Sequence, residues 1–563
     1  MMENIEILAT VGIVILIVIA KMIYDKLSVK RRMRSYLKKI YGSVPEADYD
    51  LQRYEYIDFY LKHKTHPGDI VDQITWNDLE MEDIFKLLNQ TSTGIGEEYL
   101  YAALHEPQYD QGVLGRRDEW ARWFDEHEDQ RIEVQTALCR LGKMRNMGVY
   151  QYCQYLKDAP GHNPVLNIFL CAGLIFSIVM SFVRPMPFVG LLLCFVAVNM
   201  IVYFTYKNRS YFDNFSYVSG ITYCAQSIVR QDIPVMKEEM AKIRKMLVPF
   251  KRMSRYGWLF QSGSKVGGTL LDLLMDYIKM LFHIDLILFD FVLGSVHRNE
   301  AALTEIMDFI GEIDLSIAIA SYRRLMAQGW CRPRLEQENG GRRTLVYEAK
   351  AIYHPLIIEP VKNDISTSGS VLLTGSNASG KSTFLKTVAI NAILAQTIFT
   401  AMADSYRANY FRNYSSMALR DNLSGGESYF IVEIKSLKRI VSQADGRIPM
   451  LCFIDEVLRG TNTIERIAAS SQILKQLSLM NAVCFAATHD IELTSMLEDY
   501  FDNYHFQEEV KEKQVVFDYK LHQGRAVSRN AIKLLGMIGF DQTLIDKAQQ
   551  SASRFEQNGQ WRL

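Results

Sequence analysis

The segment that most restricts the fold is Ser370-Val-Leu-Leu-Thr374, followed at once by Gly375-Ser-Asn-Ala-Ser-Gly380-Lys381-Ser382. An apolar, β-favouring run passes into G-x-x-x-x-G-K-S, and a helical pattern begins at about Thr383. A strand, a glycine-bearing loop and a helix in that order turn backbone N–H groups toward one point. The helix N-terminus adds the positive end of its dipole there. Gly375, Ser376, Asn377, Ala378, Ser379, Gly380, Lys381, Ser382 and Thr383 are therefore expected to cradle the phosphates of ATP. Lys381 would reach the β and γ oxygens, and Ser382 would ligate Mg²⁺. The sequence places an α/β P-loop NTPase domain, of the ABC-like ATPase type, at the C-terminal end.

Two further apolar runs end in chemistry. Met450-Leu-Cys-Phe-Ile leads into Asp455-Glu456. An acid at the end of such a strand lies beside the phosphate loop, where Asp455 can hold the metal and Glu456 can polarise the attacking water. Ala482-Val-Cys-Phe-Ala-Ala-Thr488 leads into His489, placed as a sensor of the γ-phosphate. Asn422-Leu-Ser-Gly-Gly-Glu-Ser428 precedes a helical stretch and makes a second anion-binding helix start. One chain already has its cradle, so this one is expected to complete a neighbour's site in a homodimer. A plain helix cap beginning at Ser424 is the other reading.

Upstream the texture changes. Val165–Val183 and Phe188–Tyr206 are apolar stretches of 19 residues each, joined by Arg184-Pro185-Met186-Pro187. As helices each would span roughly 28 Å, close to one hydrocarbon core. They are expected to form a transmembrane hairpin in the lipid bilayer. Ile7–Ala20, extended to Ile5–Tyr24, is expected as an N-terminal transmembrane anchor. Lys21, Lys26, Lys30, Arg31, Arg32, Arg34, Lys38 and Lys39 follow it, against Asp25 alone. That bias puts this end in the cytoplasm and the N-terminus outside. A cleaved signal peptide fits less well, because the positive charge follows the apolar run. The expected location is the cell membrane, multi-pass, with the ATPase domain cytoplasmic.

The expected organisation is residues 1–39 as anchor and basic flank, 40–75 as linker, and 76–157 as the first part of an all-α core. Residues 165–206 form the hairpin, 207–330 the second part of the core, and 345–555 the ATPase domain with a C-terminal helical pair. The net charge of -1 exerts no global pull on nucleic acid. Residues 207–265 nevertheless hold eleven Lys/Arg against four Asp/Glu, a surface suited to phosphates of lipid or DNA. Eight scattered cysteines without a C-x-x-C suit buried thiols in a reducing compartment rather than structural zinc.

Taken together, these motifs resemble those of the MutS family. Gly375–Thr383, Gly426-Glu-Ser-Tyr-Phe-Ile-Val-Glu433, Asp455-Glu-Val-Leu-Arg-Gly-Thr-Asn-Thr463 and Ala487-Thr-His-Asp-Ile-Glu-Leu-Thr494 follow its ATPase motifs in order. His354-Pro355-Leu356 and Asn363 resemble its lead-in, and Val516–Gly524 its late strand. More weakly, Asn89–Tyr101 and Ile313-Asp314-Leu315 are similar to the start and the closing helix of its core domain. The resemblance implies ATP hydrolysis in a homodimer on DNA. It gives His489 the γ-phosphate switch and Ser428 the contact to the partner's ATP, and it sets Val361 and Tyr519 around adenine. The chain departs from the pattern in three ways. Nothing corresponds to the mismatch-reading domain with its Phe-x-Glu wedge, the hairpin stands roughly where relatives carry a DNA clamp, and Leu458 stands where the family has glycine.

Two other functions fit parts of the sequence. A structural or signalling ATPase at the membrane would need no DNA. Leu423-Ser-Gly-Gly-Glu also fits an ABC transporter signature. Against that, three spans are too few for a translocation path even when doubled, and the signature begins only 41 residues after Ser382.

Overall fold

The computed structural model describes residues 21, 24, 27–46, 51–63, 70–144, 147–158, 164–207, 215–251, 277–337, 345–376, 379–417, 429–444, 446–511, 514–525, 532 and 539–558. The first hydrophobic segment, residues 270–276 and much of the basic stretch fall outside this set. The chain is helical in its N-terminal part and mixed α/β in its C-terminal part, and it divides into two units. One comprises residues 1–66, 87–102 and 117–325; the other comprises 67–86, 103–116 and 326–563.

The helical unit contains α1 (Leu51–His63), α2 (Gly94–His105, whose last three residues fall to the other unit), α3 (Val149–Lys157), α4 (Pro164–Val183), α5 (Pro185–Lys207), α6 (Ile284–Arg298) and α7 (Glu300–Leu325). Its core gathers Trp120, Phe124, Tyr152, Phe250, Phe289 and Ile310. The central stretch of α7 is buried on every side, and its acids are each engaged. Glu312 accepts from Arg117 Nε at 3.0 Å, and Asp314 accepts the Thr93 N–H at 2.9 Å. Burial without such partners would cost several kcal/mol for a charge.

Two helical segments, Val165–Val183 and Pro185–Tyr206, are long and apolar enough to cross a membrane by length and composition. Most of their surface is exposed and apolar, including Phe169, Phe176, Phe182 and Ile201. Their polar residues Asn167, Ser177 and Asn199 are turned inward and buried. His283 meets both helices, with Nδ1 3.2 Å from Asn167 Oδ1 and Nε2 donating to Asn199 O at 3.0 Å. The link between the helices is shorter than expected. Helix α5 begins at Pro185, and only Met186 is extended, at φ -100° and ψ 124°. The ring of Pro187 forces the residue before it out of the helical region.

The α/β unit holds two sheets. The smaller runs β1-β5-β2-β3, formed by β1 (Arg334–Glu336), β2 (Tyr347–Ile352), β3 (Asn363–Thr367) and β5 (Ser405–Asn409). The larger runs β10-β9-β4-β8-β7-β6. Its strands are β4 (Ser370–Thr374), β6 (Arg412–Ser416), β7 (Met450–Asp455), β8 (Ala482–Ala487), β9 (Phe501–Lys511) and β10 (Gln514–Gln523). It is parallel except for the β9–β10 pair. β4 and β8 are buried throughout, as strands covered on both faces must be. Helix α8 (Lys381–Thr397) packs on the sheet through residues such as Val388 and Ile393. Leu437 and Ile440 of α9 (Tyr429–Gln443) and Leu474 and Leu477 of α10 (Thr463–Leu479) join a core with β7 and β8. Helix α11 (Gln542–Asn558) follows the sheet.

Two expected boundaries differ in the structure. Residues 51–63, read as linker, form α1, because Ile57 and Tyr60 are buried one turn apart on the same face. Residues 76–86 and 103–116, read as helical core, belong with the α/β unit. The short helix Gln73–Asp78 covers edge strand β6. The Ser415 N–H donates to Thr75 Oγ1 at 3.0 Å, and the Met417 N–H donates to Asp78 Oδ2 at 2.9 Å. An open strand edge would otherwise leave these donors available to another chain.

Candidate active site

Register brings the site residues together. In the parallel sheet Leu373 of β4 and Asp455 of β7 both pair with Ala487 of β8. The three strands therefore end at one level, and the residues following each emerge side by side. That edge is where open α/β sheets bind ligands.

At the end of β4 the chain turns through Gly375, with φ +143°, and enters α8 at Gly380, with φ +105°. A Cβ on Gly375 would lie 2.7 Å from the carbonyl oxygen of Phe506, so this close approach requires glycine. Lys381 Nζ donates to the carbonyls of Gly375 at 2.9 Å and Ser376 at 2.8 Å. Ser379 Oγ is buried without a hydrogen-bond partner among the described residues. Asn377 and Ala378 lie outside the described residues, as do residues 418–428, Ser428 among them.

Ser382 Oγ donates to Asp455 Oδ2 at 2.5 Å. Asp455 Oδ1 is buried with no partner among the described residues. A hydroxyl and a carboxylate with spare acceptor capacity at the end of the phosphate loop suit Mg²⁺. That ion binds one or two protein oxygens and fills its shell with water and phosphate oxygens.

Glu456 has φ +56°, a left-handed conformation that aims its side chain back across the strand ends. Oε1 accepts from His489 Nε2 at 2.7 Å, and Oε2 is paired with Arg459. Burial pushes the Glu456 carboxyl up, but the hydrogen bond and charge of His489, together with Arg459, outweigh it and hold the group below the usual carboxylate range. It is therefore a carboxylate at neutral pH, the form a general base needs. His489 Nε2 also lies 3.5 Å from Lys381 Nζ. The lysine, the histidine and the glutamate thus form one row beneath the loop.

Lys381 and Glu456 border a cavity of about 500 Å³. Ser379, Gly380, Lys381, Ser382, Thr383 and Glu456 line one side, and Val361 and Tyr519 line another. Val361 and Tyr519 come together because Asn363 bridges β3 and β10. Its Nδ2 donates to Tyr519 O at 3.0 Å, and its Oδ1 accepts the Leu521 N–H at 2.8 Å. Arg459, Phe506 and His354 also reach the cavity. Burial, with help from Lys386, pulls the His354 imidazole down to about 4, so it is neutral at pH 7. Sequence reasoning gave Arg459 and Phe506 no role. Arg459 stands inside a run whose acids carry the signal, whereas Phe506, on β9, has no local signal at all.

Residues 371–556 match the family model described as MutS domain V. The chain is 28% identical over 270 residues to the DNA mismatch repair protein MutS of Pseudothermotoga lettingae, covering 47% of this chain and 33% of that protein. It is 30% identical over 270 residues to the protein of that name from Natronomonas pharaonis, covering 46% and 30%. It is 30% identical over 262 residues to the one from Chlamydia pneumoniae, covering 44% and 31%. The chain thus spans about a third of the length of the curated relatives it matches. The stretch that carries the loop, the acids and His489 is similar to domain V of MutS.

Proposed function

We propose that the chain is a membrane-anchored MutS-like ATP hydrolase, acting as a homodimer and contacting DNA through phosphates. One observation carries the hydrolase reading. Ser379, Gly380, Lys381, Ser382 and Glu456 line one cavity, with Asp455 bonded to Ser382 and His489 to Glu456 behind it, all within the stretch matched by MutS domain V. Loop N–H groups and Lys381 hold the triphosphate. Ser382 and Asp455 would hold Mg²⁺, which when bound would neutralise phosphate charge. Glu456 takes a proton from the attacking water as its oxygen bonds to the γ-phosphorus and the bond to the ADP oxygen breaks. His489, between Glu456 and Lys381, reads the γ-phosphate. Val361 and Tyr519 pack the adenine, and Ser428 contacts the partner's nucleotide.

DNA contact is supported by the relatives, which are DNA mismatch repair proteins by name, and by the basic residues of 207–265. The helix Lys237–Met246 buries Met240 and Ile243 and exposes Lys242 and Lys245. Lys242 pairs with Glu305 at 2.5 Å, an exposed pair that costs little to exchange for a phosphate. Arg244 is bound to the Val229 carbonyl at 2.6 Å and contributes less. Arg252 lies outside the described residues. Phosphate contacts position a protein without reading its bases, so binding through this surface should be weak and salt-sensitive, with little preference for a mismatch over a matched duplex. Neutralising Lys242, Lys245, Lys251 and Arg252 should flatten log affinity against log salt by roughly 0.9 for each phosphate left without its cation. Competition between mismatched and matched duplex at fixed salt checks the specificity. A preference of about tenfold, well above what phosphate contacts alone give, would contradict it. No binding at low salt would favour a membrane ATPase without DNA.

The hairpin supports a bilayer location, with the large segments in the cytoplasm where ATP is available. The basic residues Lys21–Lys39 would then meet anionic headgroups, at about 1 kcal/mol per charge. In intact cells, a single cysteine replacing Arg184 should react with an impermeant thiol reagent, and one replacing Ser43 should not. The reverse pattern would overturn this topology.

A further inference from the structure

The turn that carries Glu456 is under backbone strain, and the strain needs a holder. Glu456 and Leu458 are both left-handed, at φ +56° and φ +60°, and neither is glycine. Such residues persist only when their surroundings over-determine them. Three interactions fix this turn. The Glu456 N–H donates to Ala487 O at 2.9 Å, and Ser470 Oγ donates to Val457 O at 3.2 Å. The third comes from α9. Glu433 is buried, with 3% of its surface exposed, and its Oε1 accepts the Arg459 N–H at 3.2 Å. The Leu458 N–H acts on the same carboxyl. One turn earlier on the same face, Phe430 packs so closely that a Cβ on Gly460 would lie 2.9 Å from its Cβ. Thus α9 grips the turn at two points, and Glu433 is the polar one.

We infer that Glu433 is the positioning residue for Glu456: by accepting the backbone N–H groups of Leu458 and Arg459 at the strained turn, it keeps the Glu456 carboxylate aimed into the phosphate cavity. This rests on the hydrolase reading above. Glu433 itself does not line the cavity. It acts on the reaction only through the direction of another side chain. The sequence places it in the run Gly426–Glu433, where its charge alone suggests a solvated helix face. Burial and the turn in front of it show otherwise.

The test uses the full chain in detergent with Mg²⁺ and ATP, comparing Glu433→Ala, Glu433→Gln, Glu456→Gln and the double variant Glu433→Ala/Glu456→Gln. A misdirected base slows chemistry without weakening nucleotide binding. Glu433→Ala should lower kcat at least tenfold, within the range that a misplacement of about 1 Å costs, and leave ATP affinity within about twofold. Glu433→Gln keeps a carbonyl acceptor for the same N–H groups and should restore most of kcat. In the Glu456→Gln background, Glu433→Ala should add nothing further, because residues acting as a unit are not additive. Unchanged kcat in Glu433→Ala, parallel loss of ATP affinity and kcat, no rescue by glutamine, or additive losses in the double variant would each overturn the inference. Normal turnover in Glu456→Gln alone would instead overturn the hydrolase assignment on which it rests.

Discussion

Glu456→Gln should bind ATP as the unaltered chain does and turn it over at least ~100-fold more slowly, the scale expected for removing a positioned general base. The substitution is nearly isosteric. His489 Nε2 can still donate to the retained carbonyl oxygen at the position where it now meets Oε1, 2.7 Å away. Arg459 loses a charged partner, but it sits at the cavity edge, where that pair contributes little to stability. The proton acceptor is lost and the pocket is kept. The loss should therefore fall on kcat, about 2.7 kcal/mol or more in barrier, with affinity for ATP largely intact. Filter binding and steady-state phosphate release on the same preparation separate the two. Turnover within a fewfold of the unaltered chain would remove Glu456 from the mechanism.

Gly96→Val should unfold the helical unit or leave it barely stable. Gly96 lies in α2, where an added Cβ would come 2.2 Å from Asp314 Oδ2 and 2.6 Å from its Cβ. Asp314 cannot move aside freely. It accepts the Ser92 N–H at 3.0 Å, the Thr93 N–H at 2.9 Å and the Thr93 hydroxyl at 2.7 Å, and so caps the start of α2 from α7. The same two helices are close again at Gly311, whose added Cβ would meet Tyr99 Cγ at 2.7 Å. A side chain at 96 must push α7 away or break the cap. Overpacking costs about 1–3 kcal/mol, and a lost cap about 1 kcal/mol more. Together these are a large part of the roughly 5–15 kcal/mol that holds a domain folded. Gly96→Ala tests the same point more gently, since alanine gains about 1 kcal/mol of helix propensity against that steric cost. Thermal unfolding in detergent, followed by far-UV circular dichroism, should show a clear loss for both variants, larger for valine. An unchanged midpoint for valine would show that the crossing of α2 and α7 is looser than it stands.

The larger sheet and its site were readable because each functional residue follows directly on a buried strand. Ser370–Thr374, Met450–Asp455 and Ala482–Ala487 carry continuous apolar runs, and parallel pairing then sets Gly375, Glu456 and His489 at one edge without further information. The residues that close the cavity from β9 and β10 were less readable. Tyr519 was reached only through resemblance, because its approach depends on Asn363 bridging two strands 156 residues apart, and Phe506 not at all, because it arrives through the pairing of β9 with β4. Helix α1 was missed for a different reason. Leu51–His63 mixes tyrosine with charge, and the hydroxyl of Tyr60 made a buried position look polar. That hydroxyl donates to Asp308 at 2.8 Å, beside Tyr150, which donates to the same oxygen at 2.9 Å. A tyrosine whose polar tip is satisfied by a distant acid behaves as an apolar residue, and local periodicity does not report the acid. The assignment of 76–86 and 103–116 to the helical core failed similarly. Thr75 and Asp78 have a helical context locally, but their partners are the edge-strand groups of Ser415 and Met417.

The central claim is that the cavity beneath Gly375–Ser382 binds and hydrolyses ATP. The most direct test is steady-state release of phosphate from ATP by the full chain in detergent with Mg²⁺, beside Lys381→Ala. The account predicts saturable hydrolysis by the unaltered chain. In Lys381→Ala both nucleotide binding and turnover should be lost, because the only lysine lining the cavity among the described residues would be gone. A folded, unaltered chain that neither binds nor hydrolyses ATP, or a Lys381→Ala variant that hydrolyses it at the unaltered rate, would contradict the account.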